Sequence, residues 1–300
     1  MAELTNLIID GSEYLKVANG FTTERVSTPN ISMMRYNEDF DTFEIYSEDF
    51  YNGQRWISSD VYSSEPIIID NSLIYYFDFS SDYCIDDQGG TDRFVNLGTA
   101  IVAVAFLRNG MTNVDSYSAD AGGCFVFDGV DDLTDINHEA AQNPTSLTIS
   151  AWVNPSGLTN IAGNAHNIVG KTGNSGYRFR INGTAPQGGV GSVSFLDRGT
   201  TNAIFTTSGI ISAGNWYFIT ITGSPSGLKI YINDTLEASN TTAFGGYTST
   251  GNLTIGAASD ANLYTESFYG KIAQVLFYNR ELSSTEIELN YNSTKGRFGL

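Results

Sequence analysis

Short apolar runs alternate with polar positions along most of the chain, and stretches rich in Gly, Asn, Ser and Thr separate them. In Leu147–Val153, residues Leu147, Ile149, Ala151 and Val153 share one face of an extended chain, and Thr148, Ser150 and Trp152 share the other. Trp216–Thr222 and Leu228–Ile232 alternate in the same way, and Ile272–Tyr278 is apolar almost throughout. Asn233-Asp234, between Ile232 and Leu236, predicts a two-residue type I′ hairpin. Further upstream, Leu73–Phe79 and Ala100–Leu107 read as apolar strands, with a turn at Gly89-Gly90-Thr91 and a small-residue loop at Tyr117–Gly123. Ser283-Ser-Thr-Glu286 is a capping box ahead of Ile287 and Leu289, which predicts one short helix near the C-terminus. Many short strands with turns between them give an all-β, two-sheet antiparallel sandwich.

Residues 1–65 have a different texture. Met34 and Tyr36 alternate with Arg35 and Asn37, turn-forming residues follow to Asp41, and Phe43 and Ile45 resume the alternation. This predicts a hairpin, which needs further strands to bury its face. Ser58–Pro66 reads as a linker. The expected organisation is a small N-terminal β element over 1–65 and a sandwich over 66–300, the latter starting at the strand Leu73–Phe79.

Composition narrows the function. Hydrophobic residues make up 41% and aromatics 13%, so the chain can build a core. Its formal net charge is −18, which opposes binding to nucleic acid or to an anionic membrane surface. The longest apolar run, Ala100–Leu107, is far shorter than the ~20 residues of a spanning helix. Met1–Thr5 shows no basic segment leading into an apolar one, so synthesis in a cytoplasm is expected. In that setting Cys84 and Cys124 are expected as buried free thiols, with a disulfide formed after release as the alternative, and the Asn-x-Ser/Thr triplets from Asn30 to Asn292 carry no glycosylation signal.

A series of motifs is more specific. Phe125-Val-Phe-Asp-Gly-Val-Asp-Asp132 is followed by Leu147–Pro155, Ile168-Val-Gly-Lys171, Gly214-Asn-Trp-Tyr217 and Leu228–Asp234. Leu253-Thr-Ile-Gly256, Phe268–Ile272 and Tyr278–Ser283 complete the set ahead of Glu286-Ile287. In this order it resembles the laminin-G-like/concanavalin A-like jelly-roll family over most of Leu73 to Leu300. The resemblance implies two curved antiparallel sheets that bind glycans or protein surfaces. Asn290–Leu300, together with Gly89–Thr91 and Ser118–Asp128, is similar to the branch found in bacteriophage virion proteins. Met34-Arg35-Tyr36-Asn37 with Phe43 and Trp56 looks like a short β element of phage fibre and capsid-decorating proteins, which implies anchoring and trimerisation through those residues.

Candidate chemistry is sparse. His138 and His166 have no nucleophile context, and the strands lack the paired carboxylates that glycoside hydrolysis needs, so no enzyme is expected. Asp128, Asp131 and Asp132 match the loop from which relatives often take a calcium ligand. The matching Gly-x-Ile-Asp segment reads Gly270-Lys271-Ile272-Ala273 here, so a tight turn with solvated carboxylates is expected rather than a metal site, and no cofactor is implied. For a glycan, the candidates are Tyr177, Arg178 and Arg180 on one strand, Asp197 and Arg198 on the next, and Tyr264 in a later loop. The competing reading is ordinary cross-strand pairing. Trp152 and Trp216 read as core packing.

Taken together, the residues lead to a non-enzymatic phage structural protein, a capsid decoration or head-fibre protein displaying a lectin-like domain. The expected partners are other virion proteins, the major capsid protein first, and two further copies in a homotrimer. The alternative is a tail-fibre or receptor-binding adhesin that binds a host surface glycan.

Overall fold

The computed structural model describes residues 68–80, 84–86, 92–98, 103–159, 165–171, 173, 175–183, 188–197, 203–260 and 263–300, together with the strands of the N-terminal region. The chain divides into two compact units, Met1–Pro66 and Ile67–Leu300.

In the first unit, β1 (Ala18–Gly20), β2 (Met34–Asn37), β3 (Thr42–Asp49) and β4 (Gly53–Ser58) form one sheet in that order. β2 and β3 pair antiparallel, with Met34 opposite Ile45 and Tyr36 opposite Phe43, as the alternation predicts. β4 extends the hairpin with Trp56 opposite Tyr46. The linker expected after Ser58 and the turn at Gly89–Thr91 lie outside the described residues.

The second unit opens with β5 (Leu73–Asp78), β6 (Ile85–Asp86), β7 (Arg93–Val95), β8 (Val104–Arg108), β9 (Tyr117–Ser118), β10 (Cys124–Asp128), β11 (Leu133–Ile136) and β12 (Leu147–Pro155). It continues with β13 (Ala165–Lys171), β14 (Tyr177–Asn182), β15 (Val193–Asp197), β16 (Ala203–Phe205), β17 (Tyr217–Ser224), β18 (Gly227–Ile232) and β19 (Thr235–Asn240). β20 (Leu253–Ile255), β21 (Ala258–Asp260), β22 (Leu263–Thr265), β23 (Tyr269–Tyr278) and α1 (Ser284–Thr294) complete it. One sheet runs β19-β18-β17-β12-β23-β10-β9, with β5 also on β23, and the other runs β16-β15-β14-β13-β20-β11-β8-β7-β6. Their inner faces meet in a core that includes Tyr75, Phe77, Phe125, Ile149, Phe179, Ile219 and Phe277. The two sheets form a jelly roll.

The middle of the first sheet is buried on both faces. Leu147, Ile149, Ala151 and Val153 of β12 point into the core, and Trp152 points out into a second cluster with Phe218, Tyr231, Ile287, Tyr291 and Phe298. α1 covers that cluster, and Ser283 and Glu286 form the predicted capping box at its start. Arg297, just past the helix, donates from Nη2 to the Gly123 carbonyl at 2.5 Å and from Nη1 to Asp78 at 2.6 Å. Burial alone would raise the Asp78 carboxyl, but Arg297 with Ser80 and Gln274 outweighs it and holds the group below its usual range. The C-terminal segment therefore closes the sandwich. Both cysteines are buried and free, as expected.

The β18–β19 hairpin differs from the sequence reading. Asn233 has φ +59 but Asp234 is not left-handed, so the turn is not type I′. A register shift at Ile230/Tyr231 precedes the turn and disturbs the regular pairing that the sequence suggested.

Candidate binding face and acidic loop

Alternation along β14 sends Tyr177, Phe179 and Ile181 inward and Arg178, Arg180 and Asn182 outward. Asn167 of β13 and Ser194 of β15 stand opposite Arg180, on the same outward face. These outward polar groups are nevertheless buried. Part of the cover is the excursion between Gly256 and Phe268, which holds β21 and β22 and is closed at its neck by Phe268 N–H donating to the Gly256 carbonyl at 2.6 Å. β21 lies against β13.

Glu266, at the end of this excursion, meets both arginines. Arg178 Nη1 lies 2.8 Å from Glu266 Oε2, and Arg180 Nη1 donates to Oε1. Arg180 Nε donates to Ser194 Oγ at 3.2 Å, and Asn182 Nδ2 donates to Ser192 Oγ at 2.8 Å. Pairing with a carboxylate offsets the desolvation of the guanidiniums. Asn167 differs from its neighbours. Its backbone N–H donates to the Glu266 carbonyl at 2.8 Å, but its buried side-chain amide has no hydrogen-bond partner at either atom.

The glycan candidates from the sequence fall into three groups. Arg178 and Arg180 share this ion-paired layer. Tyr177 is a core residue with no exposed face: its hydroxyl donates to the Gln142 carbonyl at 3.0 Å and its ring meets Tyr247 edge-on at 5.2 Å. Arg198 and the side chains of Asp197 and Tyr264 lie outside the described residues, as do those of Met34, Arg35, Tyr36, Asn37, Phe43 and Trp56. Trp152 is fully buried, and Trp216 packs partly buried against Phe298.

Asp128, Asp131 and Asp132 do converge, with one carboxylate oxygen of each within 4.8 Å of the others. Asp128 Oδ1 accepts from the Val130 N–H at 2.8 Å, and Asp132 Oδ2 accepts from the Asp128 N–H at 2.9 Å, so the tight turn is real. Burial, then the charges of Asp128 and Asp131, push Asp132 up to about 6, although the Asp128 N–H acts in the opposite sense. Calcium takes roughly six to eight oxygens, and two of the three carboxylates here already spend an oxygen on the backbone. Position 273 does not bear on this loop. Asp128 pairs with Tyr269, four residues before Ala273, and Ala273 is buried in the helix-covered cluster. Tyr269 is about half exposed, and a Cβ on Gly129 would come within 2.8 Å of its own Cβ. Nothing in the motif pattern singles it out.

The histidines serve the scaffold. His166 is buried and accepts the Tyr269 N–H at Nδ1 over 3.0 Å, and burial lowers its pKa to about 4. His138 Nδ1 lies 2.8 Å from Lys171 Nζ. That ammonium, buried, also donates to Gln142 Oε1 at 2.5 Å and to the Gly251 carbonyl, and burial lowers its pKa to about 8. The signal for this hub was Lys171 at the end of an apolar strand, where a charge is costly without partners.

Residues 128–288 match the family model for the concanavalin A-like lectin/glucanases superfamily. No curated protein matches the chain by sequence. Among solved structures, the binding domain of botulinum neurotoxin serotype D is 18% identical with a TM-score of 0.53, over 75% of this chain and 52% of that one. The botulinum neurotoxin type G receptor-binding domain is 19% identical with a TM-score of 0.50, over 74% and 51%. Domain 4 of AbnA, a GH43 extracellular arabinanase from Geobacillus stearothermophilus solved with arabinotriose, is 14% identical with a TM-score of 0.51, over 73% and 98%. The chain spans about half the length of the neurotoxin domains, and at these identities the likeness is one of fold. With a family model matched over more than half its residues and a lectin-like sandwich as its fold, the chain belongs to the concanavalin A-like lectin/glucanases superfamily.

Proposed function

We propose that this is a non-enzymatic structural protein of a bacteriophage virion, made in the host cytoplasm, that decorates the capsid or forms a head fibre and displays a lectin-like sandwich. The division into a small N-terminal sheet and a self-contained sandwich carries this reading. In this reading one unit anchors and the other is displayed. The phage-like residues at both ends support it: Met34–Asn37 form a strand of the small sheet, and Asn290–Leu300 close the sandwich. Residues 1–65 would bind the major capsid protein and associate as a trimer. Such a protein stabilises a shell by binding the assembled lattice in preference to free subunits. The non-enzymatic part rests on the histidines, both of which serve the scaffold, and on Glu266 and Asp78, buried carboxylates neutralised by arginines.

A second reading is a tail-fibre or receptor-binding adhesin for a host surface glycan. It is favoured by the fold shared with a receptor-binding domain and with a domain solved with arabinotriose. Multivalent display would lift weak sugar affinity to useful avidity. A glycan array probed with the full chain separates the readings. Binding to a defined glycan class supports the adhesin, and a blank array with retention on purified capsids supports decoration. Release of reducing sugar from any bound glycan contradicts both.

A further inference from the structure

We propose that Arg178, Arg180 and Asn167 form a recognition site for a carboxylated saccharide, and that Glu266 occupies this site in cis. The proposal rests on the glycan-binding reading above and names its ligand class. Three independent features converge. First, two guanidiniums two residues apart on one strand face grip the two oxygens of a single carboxylate, the arrangement that recognises this group in a ligand. Second, that carboxylate does not belong to the sheet. It arrives on the excursion from Gly256 to Phe268, and Glu266 holds a left-handed backbone at φ +60, which a residue with a Cβ adopts only when its surroundings impose it. Third, the Asn167 amide beside Arg180 is fully buried with both polar atoms unpartnered, so the closed arrangement leaves a desolvation cost that Glu266 does not offset.

A sugar acid supplies what Glu266 lacks. Its carboxylate takes the two arginines, and a neighbouring hydroxyl both donates to and accepts from the Asn167 amide. Gly170 makes room for that amide, since a Cβ there would lie 3.0 Å from Asn167 Nδ2. A neutral sugar brings no charge to replace the carboxylate that Arg178 and Arg180 give up when Glu266 leaves. Because the ligand competes with an attached carboxylate, the apparent affinity of the native chain falls by the fraction of time the site is open.

The test uses the full chain and the variants Glu266→Gln and Glu266→Gly, the latter suited to a positive φ. Each is titrated calorimetrically with N-acetylneuraminic acid and methyl glucuronide, and with methyl glucoside as the neutral control. The expected result is a gain of at least about tenfold in affinity for one or both sugar acids over the native chain, none for methyl glucoside, and loss of the gain when Arg178→Ala is added. Folded variants that bind no sugar acid at millimolar concentration, or that bind acid and neutral sugars alike, overturn the proposal. Should neither variant fold, hydrogen exchange on the native chain decides. Faster exchange at 258–266 with excess sugar acid supports the site, and unchanged exchange overturns it. If the native chain binds other glycans on an array while the variants gain nothing, the site falls and the glycan reading stands.

Discussion

The indole N–H of Trp152, on the central strand β12, donates to the Thr294 hydroxyl at the end of α1 over 2.8 Å, and the Phe298 ring stacks on the same indole at 3.9 Å. This joint makes the C-terminal segment part of the fold. Removing the stacking ring by Phe298→Ala should cost about 3 kcal/mol, and Thr294→Val, which strands the indole N–H, about 1–2 kcal/mol. Urea melts followed by tryptophan fluorescence measure both. An unchanged midpoint for Phe298→Ala contradicts the packing described.

Arg297 ties the same segment to β5. Its partner Asp78 is 4% exposed, so Arg297→Met leaves a carboxylate buried without its cation. A loss of about 3–5 kcal/mol is expected at neutral pH. The loss should shrink as the pH falls and Asp78 takes up a proton, because a depressed carboxyl gives stability that is present above its unfolded pKa and lost on acidification. Melts of the variant at pH 7 and pH 3 test both parts.

Buried His166 and half-buried Asp132 act oppositely in mild acid. His166 has a folded pKa lowered from 6.5 to about 4, so its contribution is lost as the pH falls from 6.5 through 4. Asp132 is raised from 3.8 to about 6, so it favours the fold at low pH and loses that contribution as the pH rises through 6. Asp132→Asn should therefore stabilise the chain at pH 7 and steepen its acid loss between pH 6.5 and 4. His166→Gln should flatten that loss. Thermal melts across this range check the signs, and parallel curves for the two variants would show that neither group titrates as described.

Much of this was legible in the residues, and the failures have physical causes. The period-2 pattern of Leu147–Val153 identified the strand and both of its faces, because a residue on either side of it is buried. On β14 Tyr177 stands with Arg178 and Arg180 among the glycan candidates read from the sequence, although neighbours along a strand point to opposite faces. A one-residue choice exchanges the faces, and the tyrosine went inward. The arginine pair stood out, but its partner did not: Glu266 lies 86 residues from Arg180 and reaches it through an excursion with no periodic signature. Ala273 was read as a lost metal ligand because motif spacing does not reveal pairing, and β23 places it away from the acidic loop. Tyr269 and the Lys171 hub depend on contacts between distant segments, which local pattern does not encode.

The central claim is that the chain is carried on a virion, and counting its copies in purified particles by quantitative mass spectrometry against the major capsid protein tests this most directly. Decoration predicts copies on the order of hundreds per particle, since the protein binds a repeated lattice. A few to a few tens would move it to a tail fibre, and its absence from the particles would contradict the account.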